Sequence, residues 1–226
     1  MIFFIFLIIT TSTPSYIFNN ITINEYDMIW SYTESISGID SIAYRASIDK
    51  NNDSFVSAWE VMKADKEIRK KLRSSLEQEL DVKINNNTAG IEVVDIDASL
   101  SIKTIGKTHL NDTIVNRYKV TYRFNESILN ASSIWFLGEG GTPITITLPQ
   151  GVEVINITGM NNITTNHTIR GFFAEKSDNK GEITLILKNT FYTKNVTPLP
   201  LTPKKTRDIG IVFVLAMILL IYLRKR

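Results

Sequence analysis

The 226-residue chain contains no cysteine. It can therefore form no disulfide, offer no thiol nucleophile and hold no cysteine-ligated zinc. Histidine is almost as scarce: His109 and His167 are the two present, each in a polar, turn-like context with no partner at a fixed spacing. Charge of one sign is missing too. The 25 lysines and arginines nearly balance the 23 acidic residues, leaving a formal net charge of +2 and no basic field of the kind that gathers nucleic acid. No Gly-x-Ser-x-Gly elbow, phosphate loop or His-Glu-x-x-His triplet occurs, and the "GEGG" at 138 to 141 lacks the Lys-Ser/Thr that would make it one. These absences argue against an enzyme and against a nucleic-acid partner.

What is present begins with two apolar ends. Ile2 to Ile9 form an apolar run followed by small hydroxyl residues and Pro14, the layout of a signal peptide, assigned here to residues 1–15. The run is too short to cross a bilayer. At the other end, Ile209 to Leu223 carry no charge and are closed by Arg224, Lys225 and Arg226. This stretch suits a single span through about 30 Å of hydrocarbon, with Tyr222 at the interface and the basic ends snorkelling. Basic residues flank both sides, so the signal-like N-terminus sets the orientation, with the bulk of the chain outside the cell and the 224–226 tail inside.

Between the body and the span, Pro198, Pro200 and Pro203 exclude a helix or an inner strand, so 191–208 reads as an extended stalk. Within it "LPLTP" at 199–203 resembles an LPxTG sorting signal, with Pro203 where the glycine belongs. A proline-rich stalk before an ordinary anchor explains it equally well.

Ten Asn-X-Ser/Thr triplets fall along the chain. Nine are expected to carry glycans: Asn20, Asn86, Asn111, Asn125, Asn130, Asn156, Asn162, Asn166 and Asn195. A base composition that favours asparagine is the competing explanation. The tenth, Asn52, is expected to stay bare for a reason given below.

The body changes its periodicity once. Val61, Ala64, Ile68, Leu72, Leu76 and Leu80 recur at steps of three and four, the apolar stripe of a helix starting near Ser57. From residue 91 the period is two, with Val94, Ile96, Ala98, Leu100 and Ile102 on one face. Similar alternation returns in 117–124, 143–149, 152–157, 168–173 and 181–187, with "SDNKGE" at 177–182 as a hairpin turn. The fold class expected is α+β: a helical segment over 20–85, an antiparallel β-sandwich of immunoglobulin-like character over 88–190, and a C-terminal transmembrane helix over 209–223.

The stretch "DKNNDSFVSAWE" at 49–60 lies where the two halves of the helical segment meet. Calcium takes oxygen ligands from the first, third, fifth, seventh, ninth and twelfth positions of a twelve-residue loop. Here those positions hold Asp49, Asn51, Asp53, Phe55, Ser57 and Glu60, with the hydrophobic eighth filled by Val56. The stretch resembles an EF-hand loop, as single ones occur in dockerin-like modules. The resemblance implies an N-terminal helix-loop-helix, with Gly38 to Ile48 as its entering helix. It also implies ligands from Asp49, Asn51, Asp53, the Phe55 carbonyl, Ser57 and the bidentate Glu60, and a weakly held structural Ca2+ with a Kd of about 10⁻⁴ to 10⁻³ M. Ser54 departs from the pattern at the sixth position, where glycine usually allows φ > 0. A capped turn, with Ser57 as N-cap and Glu60 three residues on, explains those two residues but gives Asp49, Asn51 and Asp53 no role. A glycan on Asn52 would compete with a bound ion for this loop.

Signal peptide, sequon-rich β-domain and short basic-tailed span together are similar to archaeal C-terminally anchored surface proteins. The expected function is that of a membrane-anchored, glycosylated, calcium-binding surface protein with a structural or adhesive role, meeting the membrane and a cell-envelope or surface partner. The alternative is an accessory or sensory subunit of a membrane complex.

Overall fold

In the computed structural model, residues 16–190 are described except 167, 177 and 178. The described residues begin with two long antiparallel strands, β1 (Tyr16–Ile23) and β2 (Asp27–Ile36), joined by a turn in which the Asn24 amide side chain donates to Asp27 Oδ1 at 2.6 Å. Helix α1 (Ile39–Ile48), a two-residue strand β3 (Phe55–Val56) and helix α2 (Ala58–Gln78) follow. The remainder is β: β4 (Val82–Ile84), β5 (Ile91–Ser99), β6 (Gly106–Lys107), β7 (Ile114–Phe124), β8 (Ser133–Glu139), β9 (Pro143–Thr147), β10 (Val152–Thr158), β11 (Met160–Thr165), β12 (Ile169–Phe173) and β13 (Lys180–Asn189).

Two sheets carry the architecture. The larger has seven strands in the order β11-β12-β9-β1-β2-β7-β5, and the smaller has four in the order β10-β13-β8-β4. They face each other across one apolar core. Alternation places Ile21 and Ile23 of β1, Met28 and Trp30 of β2, and Val120, Tyr122 and Phe124 of β7 on the inner face, against Ile134 and Phe136 of β8 and Ile183, Leu185 and Leu187 of β13. Trp30 meets Phe136 edge to face across the gap, with centroids 5.9 Å apart.

Strands β2 and β7 run in register from Asp27↔Arg123 to Ile36↔Ile114. At the far end of this pair Ile36 and Ile114 are buried with Tyr44 and Ile48 of α1 and Val56 of β3, a second and smaller cluster. The apolar stripe of α2 is divided between the two cores: Val61 and Ala64 pack on the small cluster, Leu72 and Leu76 on the large one. The helix also lies along β5, the edge strand of the larger sheet. There Arg69 donates to the Ala98 carbonyl at 2.7 Å and pairs with Asp97 and Asp65, both at 2.8 Å.

The expected fold class is corrected on three counts. The segment expected to be helical from residue 20 begins as strand: among the described residues β1 and β2 precede both helices and occupy the middle of the larger sheet. The helices are an insertion between strands of one compact unit, not a module placed before a sandwich. The sheets are not wholly antiparallel, because β1 pairs parallel with β9, which departs from the antiparallel immunoglobulin-like arrangement. Among the described residues no helix is long and apolar enough to cross a membrane. The signal peptide expected at 1–15, Asn195, the stalk expected over 191–208 and the expected span at 209–223 all lie outside the described residues.

Two local expectations also change. A bulge between Val93 and Asp95 turns Val94 out to solvent and lets Val93 pack on the core. Strand β5 then ends at Ser99, so Ile102 falls in an exposed 3-10 turn. Strands β12 and β13 belong to different sheets, so they are not the paired arms of the hairpin expected around 177–182.

Candidate metal site

The loop at 49–60 is held at both ends. Asp49 caps the C-terminus of α1, its N–H reaching the Arg45 carbonyl at 3.0 Å. Arg45 is fully buried and fastens α1 to the segment before β7: Nη2 donates to the Lys103 carbonyl at 2.7 Å, Nη1 donates to the Leu110 carbonyl, and Asp112 lies 3.5 Å away. At the other end Ser57 is the N-cap of α2. Its hydroxyl accepts from the Glu60 N–H while Glu60 Oε2 accepts from the Ser57 N–H at 2.9 Å, a complete capping box. Between them β3 pairs with β6, Phe55 opposite Lys107 and Val56 opposite Gly106, and the Thr108 N–H donates to the Ser54 carbonyl at 3.0 Å.

Inside the loop, acidic and amide side chains bind the chain's own N–H groups. Asp49 Oδ2 accepts from the Ser54 N–H at 2.9 Å, Asn51 Oδ1 from the Asp53 N–H at 3.1 Å, and Asp53 Oδ1 from the Phe55 N–H at 2.8 Å. The Asn51 amide also donates to Asp53 Oδ2 at 2.9 Å. Ser54 takes φ 67° and Asn52 φ 56°. The sixth position thus adopts the left-handed conformation that glycine usually supplies, now in serine.

Two carboxylates stand out. Glu60 is buried, and its Oε1 accepts from the Lys50 N–H at 2.9 Å, so one side chain ties together both ends of the loop. Bonds from the Ser57 N–H, the Ser57 hydroxyl and the Lys50 N–H draw its pKa down to about 2. Asp49 is also buried, and its Oδ1 has no hydrogen-bond partner among the described residues. A buried carboxylate oxygen left bare carries a desolvation cost that a cation would remove. Asn51, Asp53 and Phe55 are exposed and Ser57 is half-buried. Among the described residues, no three acidic or histidine side chains are gathered so as to hold a metal ion by themselves.

A second polar group, which the sequence did not single out, separates the two cores. Glu34 of β2 accepts from the Tyr118 hydroxyl at 3.2 Å and the Asn116 amide at 3.4 Å, and Asn116, fully buried, also donates to the Tyr44 hydroxyl at 3.0 Å. Tyr32 stacks on Tyr118 with centroids 4.6 Å apart. Nearby, the Tyr122 hydroxyl donates to Asp81 Oδ1 at 2.7 Å. Burial raises the pKa of Glu34 and lifts that of Asp81 to about 6, because the charged form loses more hydration than its hydrogen bonds return. Alternating polar residues in β2 and β7 were the available signal, but alternation alone does not tell a solvent-facing tyrosine from one that faces a helix.

The eight sequon asparagines expected to carry glycans within the described residues, Asn20, Asn86, Asn111, Asn125, Asn130, Asn156, Asn162 and Asn166, are all exposed, and so is Asn52. His109 is exposed as well. A scan against protein-family models and a search of curated proteins return no match to this chain.

Proposed function

We propose that this is a non-enzymatic, membrane-anchored surface protein whose extracellular β-domain is glycosylated and is stabilised by a weakly held Ca2+ in the loop at 49–60. The observation that carries the reading is Asp49 Oδ1, a buried carboxylate oxygen without a partner among the described residues. It belongs to a loop whose sixth residue already takes φ 67°. Oxygens of Asp49, Asn51, Asp53, Ser57 and Glu60 and the Phe55 carbonyl would hold the ion. Its role is to neutralise the acidic groups of this loop and fasten α1 to α2. In a chain with no disulfide, occupancy at ten times the dissociation constant adds about 1.4 kcal/mol to stability.

The exposed sequons support the surface reading, and the apolar stretches at 2–9 and 209–223 support secretion and anchoring. The fold supplies loops at the ends of two facing sheets, a common site for adhesive contacts. An envelope or surface protein is the partner class this suits.

The test is a calorimetric Ca2+ titration of the full chain in detergent beside Asp49→Ala and Glu60→Ala, with thermal unfolding followed in parallel. Saturable binding that both variants lose supports the reading. Heat and melting temperature that ignore calcium would reduce the loop to a capped turn. Glycopeptide mass spectrometry provides a second check, since full occupancy of Asn52 is incompatible with an ion in the same loop.

A further inference from the structure

Two sheets have four edges, and an open edge is a template for pairing with another chain. Each of the four is treated differently here. The β5 edge is flanked by α2, whose Arg69 donates to the Ala98 carbonyl. The β4 edge is only three residues long. The other two, β10 with seven residues and β11 with six, are longer, and among the described residues no helix packs along either.

Both of these open edges are broken by a bulge, and each bulge presents an exposed isoleucine. In β10 the register slips between Val154 and Asn156, and Ile155 is 64% exposed. In β11 it slips between Asn161 and Thr164, and Ile163 is 41% exposed. An unpaired edge beside a solvent-facing isoleucine is the combination that promotes edge-to-edge association. Each isoleucine is also the immediate neighbour of a sequon asparagine: Asn156 in Asn-Ile-Thr and Asn162 in Asn-Ile-Thr. Both asparagines are exposed, and Asn162 sits at φ 52° within its bulge.

We infer that N-glycans on Asn156 and Asn162 cover Ile155 and Ile163 and close the β10 and β11 edges against a second copy of this chain. The inference rests on the glycosylated-surface reading above and assigns two of its sites a specific task. A hydrated glycan beside the bulge occupies the volume that an incoming strand would need. The bulge alone leaves the rest of each edge open, and the isoleucine is still exposed.

The experiment uses the full chain in detergent from a eukaryotic secretory host. Glycopeptide mass spectrometry measures occupancy, and light scattering after size exclusion gives the protein mass. Asn156→Gln/Asn162→Gln is compared with Asn20→Gln/Asn125→Gln, which removes two glycans away from both edges. Thr158→Ala/Thr164→Ala removes the same edge glycans but keeps both asparagines, which separates glycan loss from any change in the turns. The expected result is that both edge variants shift to twice the parent mass or more, that the Asn20/Asn125 control does not, and that adding Ile155→Lys/Ile163→Lys restores the parent mass. Occupied edge sites whose removal leaves the mass unchanged overturn the inference while leaving the glycosylation reading intact. Bare Asn156 and Asn162 beside other occupied sequons also overturn it, and bare sequons throughout overturn that reading as well.

Discussion

The Ser54 N–H donates to Asp49 Oδ2 at 2.9 Å while Ser54 itself is held at φ 67°. The bond organises the loop at the expense of left-handed strain in an L-residue, about 1–2 kcal/mol. Glycine would relieve that strain, and its extra freedom in the unfolded chain would cost about 0.5–1 kcal/mol. Ser54→Gly is therefore expected to raise stability by roughly 0.5–1 kcal/mol, measured by urea unfolding. Ser54→Val, with a branched Cβ in the same conformation, is expected to lower it. A valine variant as stable as its parent would mean that the loop relaxes away from this φ.

The capping box yields a second expectation. Ser57→Ala removes the hydroxyl that accepts the Glu60 N–H and is expected to cost about 1 kcal/mol. Glu60 adds an acid dependence. Its folded pKa of about 2 lies below its ordinary 4.5, so the stability it supplies is complete above pH 4.5 and falls away as the pH drops toward 2. Glu60→Gln should flatten the unfolding midpoint across that window. A profile that keeps its full acid slope in the variant would place the titration elsewhere.

Asp81 works in the opposite direction. With a folded pKa of about 6 against an ordinary 3.8, the native state binds more protons than the unfolded chain between those values. Stability therefore falls as the pH rises from 4 through 6. Glu34, raised by the same loss of hydration, adds to this trend. Asp81→Asn keeps an acceptor for the Tyr122 hydroxyl and is expected to remove part of the decline, followed by thermal unfolding at pH 4 and pH 7. If the native protein gains stability over that rise, these acids are better hydrated than their burial implies.

Much of the β-structure was legible because alternation is a local property: β7, β9, β10, β12 and β13 lie where period-two segments were read, and α2 starts one residue after Ser57. The larger errors concern which strands meet. The segment holding β1 and β2 reads as helical surroundings when the eye is on the calcium-like loop, and nothing in "YIFNNITI" indicates a parallel partner more than a hundred residues later in β9. Strand β8 was missed because Leu137 and Gly138 are buried alongside Ile134 and Phe136, which breaks the alternation. The bulge turned Val94 off the expected face for a similar reason, since one extra residue reverses a period of two on its far side, while Ile96 and Ala98 stay buried as expected. Within the loop, the cap pair Ser57 and Glu60 was readable from spacing. The bare Asp49 Oδ1 was not, because a missing partner is a property of the folded surroundings.

Gly138 and Gly181 are direct ladder partners in β8 and β13, and the ring of Phe173 from the opposite sheet lies on both. A Cβ at Gly138 would come within 2.4 Å of that ring, and one at Gly181 within 2.5 Å of the Phe173 Cβ. The paired glycines therefore form the floor of a slot in which Phe173, fully buried, fixes the β12 end of the larger sheet against the smaller one. Gly138→Ala is expected to overpack the slot and cost about 1–3 kcal/mol, whereas Phe173→Leu alone leaves a partial void. The two changes share one volume, so their effects should not add. Gly138→Ala/Phe173→Leu is expected to be less destabilised than the sum of the single variants by about 1 kcal/mol or more. Strict additivity in urea unfolding would show that the methyl is accommodated by movement of the strands and that the slot does not set the spacing of the sheets.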